Sequence, residues 1–232
     1  MEFQGRNVVI AGGTGILGMA VTEWLLDRGA VCHVTSFSTS PEPSFTLAGR
    51  ERVKVFGGCD LGDEGTVERL YAEVGEVWAS IHVAGGFAMG PLETTTGAAF
   101  DKMITMNLRT SFLCTREAAK RMPAGGRIVN VAARPAVDPT AGAGMIAYTV
   151  SKAGVGALTL AAAKELHGRG IWVNAIAPSI IDTPVNRTAM PDADHGSWPK
   201  PAELAAAIGW LASPGNAVTS GTIVPVYGRS WP

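Results

Sequence analysis

The opening thirty residues constrain most strongly what this chain can fold into. Val8-Val9-Ile10-Ala11 is a short apolar run rich in β-branched residues, and it ends in Gly12-Gly13-Thr14-Gly15-Ile16-Leu17-Gly18. From residue 16 to residue 28 the period changes, and Leu17, Val21, Trp24 and Leu25 fall on one side of a helix. A wholly apolar strand is buried on both faces, so it belongs inside a sheet. A helix that follows it through glycines must pack back across that sheet.

The alternation continues along the chain. Stretches 30–35, 53–56, 77–83, 127–132, 171–177 and 222–226 read as strands, and 64–74, 98–122, 148–166 and 201–212 read as helices. This order predicts an α/β fold, a doubly wound parallel sheet of about seven strands. No composition break, repeat or low-complexity tract divides residues 1–232, so a single domain is expected. Residues 134–147 and 184–200 are the longest irregular stretches. Both follow strand ends on the side where such sheets bind ligands, and 184–200 is expected to form a substrate lid.

Composition narrows the function classes. Hydrophobic residues are 47% of the chain, which excludes wholesale disorder. The 19 basic and 20 acidic residues include no Lys or Arg run, which argues against nucleic acid or an anionic membrane as a partner. Cys32, Cys59 and Cys114 are isolated and show neither disulfide nor zinc spacing, so no metal centre is expected. With no apolar signal core in residues 1–6, the expected location is cytoplasmic. Charged residues are only 17%, and the helices at 98–122 and 148–166 are rich in alanine. Low charge fits oligomer contacts.

Gly13-x-Gly15-x-x-Gly18 fits a dinucleotide fingerprint in the strand–loop–helix context that the fingerprint requires. Glycine lets the backbone turn sharply and approach a pyrophosphate, and the helix N-terminus offers free N–H groups. Gly12, Thr14, Gly15, Ile16, Leu17 and Gly18 are the expected phosphate cradle. Nothing acidic lies between Arg28 and Pro41, and Ser36 stands where a ribose-binding acid is usual. A hydroxyl there tolerates a 2′-phosphate that a carboxylate would repel. NADP is therefore the preferred cofactor, with NAD the alternative.

Tyr148 and Lys152 are four apart and share a helix face. A nearby ammonium stabilises a phenolate, so this pair can exchange a proton near neutral pH. With the glycine loop, the whole chain resembles the short-chain dehydrogenase/reductases. The resemblance rests on Gly12-x-x-Gly15-x-x-Gly18, Asp60-Leu61, Ala84-Gly85, Asn107, Tyr148-x-x-x-Lys152 and Asn174-Ala175-Ile176-Ala177-Pro178 through Thr183. It implies a Rossmann fold and hydride transfer from a nicotinamide cofactor. It also implies that Asp60 and Leu61 meet adenine, that Ala84, Gly85 and Gly86 support the cofactor, and that Lys152 holds the nicotinamide ribose. Pro178 and Thr183 would border the carboxamide, and Asn107 would join Tyr148 and Lys152 in catalysis. The helices corresponding to 98–122 and 148–166 pair across dimers in that family, so the resemblance implies a homodimer or homotetramer.

Four positions depart from the family pattern. His82 and Val83 replace asparagines before Ala84-Gly85, and Ser179 replaces a glycine. Ala133 stands at the end of the fifth strand, where the family keeps a serine that binds the substrate carbonyl. One branch, the dihydropteridine reductases, lacks that serine. The chain resembles it in Gly144-Met145-Ile146-x-Tyr148 and most extensively in Asp182-Thr183-Pro184-Val185-Asn186-Arg187-x-x-Met190-Pro191-x-Ala193-Asp194-x-x-Ser197-Trp198. That branch implies reduction of quinonoid dihydropterin or a similar quinone-like small molecule. The alternatives are a carbonyl (ketone or 3-oxoacyl) reductase with a substituted serine and a catalytically silent nucleotide-binding regulator. Phe87, Met145, Met190 and Trp198 are the substrate-pocket expectations. Asp138 and Thr140 are positioned to replace the missing hydroxyl, His195 reads as a solvated loop residue, and Trp210 reads as a packing residue.

Overall fold

In the computed structural model, which describes residues 2–230, seven strands form one parallel sheet in the order β3-β2-β1-β4-β5-β6-β7. The strands are β1 (Asn7–Ala11), β2 (Val31–Thr35), β3 (Val53–Phe56), β4 (Ala79–His82), β5 (Arg127–Val131), β6 (Trp172–Pro178) and β7 (Ile223–Val226). The order reverses between β1 and β4, and a crevice opens there at the carboxyl ends of the strands.

Strand alternation divides the core in two. Val8 and Ile10 of β1 join Cys32, Val34 and Ile81 on one face, under α1 (Ile16–Leu26) and α8 (Pro201–Ala212). Val9 and Ala11 face the other way, toward α2 (Glu64–Val74), α4 (Thr110–Arg121) and α6 (Ile146–Leu166). Both faces of β1 are covered, as its unbroken apolar run requires. Helix α6 is long and apolar enough by composition to span a bilayer, but its buried residues, Val155 and Ala163 among them, pack on the sheet layer.

The structure differs from the expected elements in three places. The helix expected at 98–122 is split into α3 (Gly97–Met103), a π-helical turn (Ile104–Arg109) and α4. The irregular stretch after β5 contains α5 (Arg134–Val137) and a 3₁₀ turn (Pro139–Gly142). The stretch after β6 contains α7 (Pro184–Ala189) and a second 3₁₀ turn (His195–Ser197). Trp210 is half exposed, because it lies on the outer side of α8. Short helices of four to six residues carry too few turns to show a period.

Helices α1 and α8 meet at Trp24 and Gly209. A Cβ on Gly209 would lie 2.3 Å from the Trp24 ring. That ring is held by the edge of Phe3 (centroids 6.0 Å apart) and by the Arg28 guanidinium 3.6 Å above it. Gly209→Ala gains about 1 kcal/mol of helix propensity but overpacks a fixed ring, at a cost of about 1–3 kcal/mol. Urea denaturation should show a lower midpoint for Gly209→Ala; an unchanged or raised midpoint contradicts this packing.

Candidate active site

The turn after β1 can be made only from glycine at two points. Gly12 has φ +78, and a Cβ there would lie 2.6 Å from the Ala84 Cα. A Cβ on Gly18 would lie 2.5 Å from the Gly12 carbonyl oxygen. The β1 turn therefore closes directly on the backbone that leaves β4. Gly12 N–H is fixed by donating to Thr35 Oγ1 at 2.8 Å. Gly15 caps α1 without a side-chain acceptor, so the first-turn N–H groups remain free to meet an anion.

Beyond this turn lies a cavity of about 740 Å³. Its wall contains Gly12, Thr14, Gly15, Ile16, Leu17 and Gly18, then Asp60 and Leu61 after β3, then Ala84 and Gly85 after β4. Residues from three separate sequence motifs thus share one wall. Phe37 and Thr35 also line it, whereas Ser36 does not. Ser36 is 2% exposed, and its backbone is spent on the Phe56 carbonyl and the Cys59 N–H. Side chains alternate at a strand end, so the two neighbours of Ser36 share the side that it leaves. Sequence reasoning also missed Asp101, Lys102 and Thr105, which line the cavity from α3 and the π-helical turn. Their spacing marks one helix face, but only the tertiary fold shows that this face meets the cleft.

Lys152 and Asn107 come together beside Gly85, and Tyr148 lies one helical turn before Lys152, against Phe87. A Cβ on Gly85 would lie 2.5 Å from Asn107 Oδ1 and 3.3 Å from Lys152 Nζ. Asn107 is fully buried. Its Oδ1 accepts from Gly86 N–H at 2.9 Å, and its Nδ2 donates to the Gly86 carbonyl at 3.1 Å and to Ser151 Oγ at 3.0 Å. All its polar atoms are engaged by the protein, so it positions the β4 turn. The π-helical turn carries this residue. A π turn disturbs the backbone ladder, and Thr110 and Ser111 hydroxyls cover the carbonyls of Met106 and Asn107 at 2.8 Å each.

Lys152 Nζ donates to the Val131 carbonyl at 2.7 Å. Burial pushes its ammonium down to about 8 and pushes the Tyr148 phenol up to about 12. The sequence-based expectation of a phenol lowered by its lysine is therefore not what this geometry gives. Desolvation dominates at both groups, and the ammonium is turned toward a backbone carbonyl. Ala133 caps α5 and is 4% exposed. Thr140 Oγ1 donates to Asp138 Oδ1 at 2.6 Å, and Asp138 also accepts from Thr140 N–H. Thr140 thus spends its hydroxyl proton within its own turn.

His82 anchors the ends of β4 and β5, where it is the register partner of Asn130. Asn130 Nδ2 donates to Thr159, so its Oδ1 accepts from His82 Nδ1–H at 2.7 Å. His82 Nε2 then accepts from Ser80, which accepts from Tyr71. Burial lowers His82 to about 4, so the imidazole is neutral and the chain of bonds has one direction.

Of the expected pocket residues, Phe87 lies edge-on to Tyr148, with ring centroids 5.0 Å apart at 83°. Met145 bridges to Gly90 through backbone pairing at the start of α6. Pro178 ends β6, and Thr183 caps α7 by accepting from Asn186 N–H at 3.2 Å. Met190 and Trp198 lie in an excursion closed at its base by Asp182 N–H donating to the Pro199 carbonyl at 2.9 Å. Arg187 grips Asp182 with two bonds of 2.5 and 2.8 Å. His195 is a structural member of this excursion. It bonds the Met190 carbonyl at 2.7 Å and lies tilted against Trp198, centroids 4.7 Å apart at 50°. Trp198 is 6% exposed, so it packs the excursion from within and does not form an open pocket wall.

The family model described as Enoyl-(Acyl carrier protein) reductase matches residues 11–228. The chain is 29% identical over 242 residues to the 3-oxoacyl-[acyl-carrier-protein] reductase MabA of Mycobacterium tuberculosis (strain ATCC 25618 / H37Rv), covering 97% of this chain and 93% of that protein. It is 31% identical over 197 residues to the short-chain dehydrogenase/reductase eriH of Hericium erinaceus, covering 78% of this chain and 76% of that one. A crystal structure of BdcA in complex with NADPH superposes with a TM-score of 0.89 at 26% identity, covering 99% of this chain and 96% of that chain. The glycine turn closed on Ala84, the Tyr148–Lys152 pair on one face of α6 with Lys152 beside Gly85, and these matches give one conclusion: the chain belongs to the short-chain dehydrogenase/reductase family of NAD(P)-dependent oxidoreductases.

Proposed function

We propose that this protein uses NADPH to reduce a conjugated, electron-poor small molecule of the quinonoid dihydropterin or quinone type. The observation that carries this reading is an intact Tyr148–Lys152 pair, with Lys152 held by the Val131 carbonyl two residues before Ala133, a position with no hydroxyl, while Thr140 spends its own hydroxyl proton on Asp138. A ketone needs its carbonyl polarised, whereas an electron-poor conjugated acceptor needs this less. The bound cofactor supplies the hydride. The free N–H groups of α1 would hold its pyrophosphate, and Asp60 and Leu61 would meet its adenine. Lys152 would hold the nicotinamide ribose, and Tyr148 Oη would hold the proton delivered to the acceptor. The excursion at 184–200, with Met190 on it, would close over the substrate. The similarity to MabA favours a second reading, a 3-oxoacyl reductase in which another contact replaces the serine. Exposed Phe112 on α4 and Val150 and Leu160 on α6 support a homodimer or homotetramer, which sedimentation velocity would distinguish from a monomer. A cytoplasmic location fits three buried free cysteines.

Preference for NADPH over NADH rests on the lack of a carboxylate at the end of β2 and on Lys102 in the cavity wall. Fluorescence titration should show tighter binding of NADPH. Phe37→Asp, which puts a carboxylate on the cavity wall that Ser36 does not reach, should shift preference toward NADH, because a carboxylate repels the 2′-phosphate. Tighter binding of NADH by the unmodified protein contradicts this part of the reading.

Tyr148→Phe should lower turnover by about 10²–10⁴-fold, the usual weight of a positioned proton donor, and leave NADPH affinity nearly unchanged. Lys152→Ala should lower both. Ala133→Ser separates the two readings in a panel of dihydropterins, quinones and ketones. If the unmodified protein reduces neither pterin nor quinone and Ala133→Ser makes an efficient ketone reductase, the conjugated-acceptor reading is wrong.

A further inference from the structure

Three loops leave the carboxyl ends of β4, β5 and β6, which are neighbours in the sheet. They display Phe87, Met89 and Leu92 at 59%, 66% and 72% exposure, Val137 at 46% and Ile180 at 42%. Large apolar side chains gathered at one sheet end are costly to leave in water and mark binding surfaces. The first loop, residues 86–92, holds no charged side chain. It is a built structure: Gly90 N–H donates to the Gly144 carbonyl at 2.8 Å, and Thr95 Oγ1 closes a turn on the Pro91 carbonyl at 2.7 Å. A Cβ on Gly144 would lie 3.6 Å from the Met89 methyl, so this loop rests against the start of α6. The apolar band is continuous with the chemistry, because the Phe87 ring meets Tyr148 edge-on.

We propose that the band running from Phe87 through Met89 and Leu92 is a subsite for an aliphatic substituent of the acceptor, so that the substrate is a lipophilic quinone rather than a pterin. This rests on the conjugated-acceptor reading above. A pterin carries hydrogen-bonding groups around its edge, and an uncharged stretch of Phe, Met and Leu side chains offers them no partners. An alkyl chain extending from a quinone ring held at Tyr148 would cover the band. The quinone takes two electrons as one hydride from NADPH and one proton from Tyr148 Oη, and leaves as the hydroquinone. NADP⁺ is the other product, and solvent returns the proton to Tyr148.

The test is kcat/KM with NADPH for 1,4-benzoquinones bearing n-alkyl substituents from methyl to decyl. Each methylene that reaches the band should raise kcat/KM about threefold to fourfold, the equivalent of about 0.8 kcal/mol per buried methylene. Met89→Ser and Leu92→Ser should flatten that rise while leaving the methyl compound and the melting temperature unchanged. A flat series in the unmodified protein, with the quinones still turned over, overturns the subsite and leaves the conjugated-acceptor reading standing. Loss of all quinone and dihydropterin turnover despite NADPH binding overturns that reading and the subsite with it. Dissociation of an oligomer by either serine variant, read by sedimentation, assigns the band to a second copy of this chain and also overturns the subsite.

Discussion

The close approach of two backbone turns is the constraint on which the rest of the site depends. The turn after β1 meets the turn after β4 at Gly12 and Ala84, with room for no side chain at Gly12. The β4 turn then passes between Asn107 and Lys152 with room for none at Gly85. The glycine turn, the Asn107 clamp and the lysine are thereby set in one rigid relation. The His82–Asn130 bond ties the strand that feeds this turn to the strand whose Val131 carbonyl receives Lys152.

The site stores polar cost where chemistry needs it. Lys152 is almost wholly buried with one carbonyl as partner, and burial disfavours the charged forms of both Lys152 and Tyr148. A bound ligand that offers hydroxyls to Lys152 and takes the proton of Tyr148 would relieve both. The buried chain from Tyr71 to Thr159, by contrast, is satisfied internally and holds its histidine neutral. One network is closed on itself, and the other would be completed by a ligand.

Much of this was legible in the sequence, for local reasons. The β1 run, the glycines and the α1 pattern sit in one contiguous stretch, and Tyr148 and Lys152 share a face through helical spacing alone. Ala133 has no local signature and stands out only through the family resemblance, which places a serine there. The π-helical turn was not legible, because one inserted residue barely disturbs a helical period over 98–122. Ser36 drew attention by analogy, but its neighbours Thr35 and Phe37 form the wall because of how β2 ends. Lys102 and Asp101 face the cleft through a tertiary contact with no local signature. Trp198 looked like a pocket residue from its place in the excursion, and its partner His195 turns it inward.

The central claim is that the gap at Gly85, between Asn107 and Lys152, shapes the nicotinamide dinucleotide site. Calorimetric titration of NADPH into the unmodified protein and into Gly85→Ala tests this most directly. The account expects Gly85→Ala to melt cooperatively yet lose at least about tenfold in affinity, equivalent to ~1.4 kcal/mol. Equal affinity for the two proteins would contradict it.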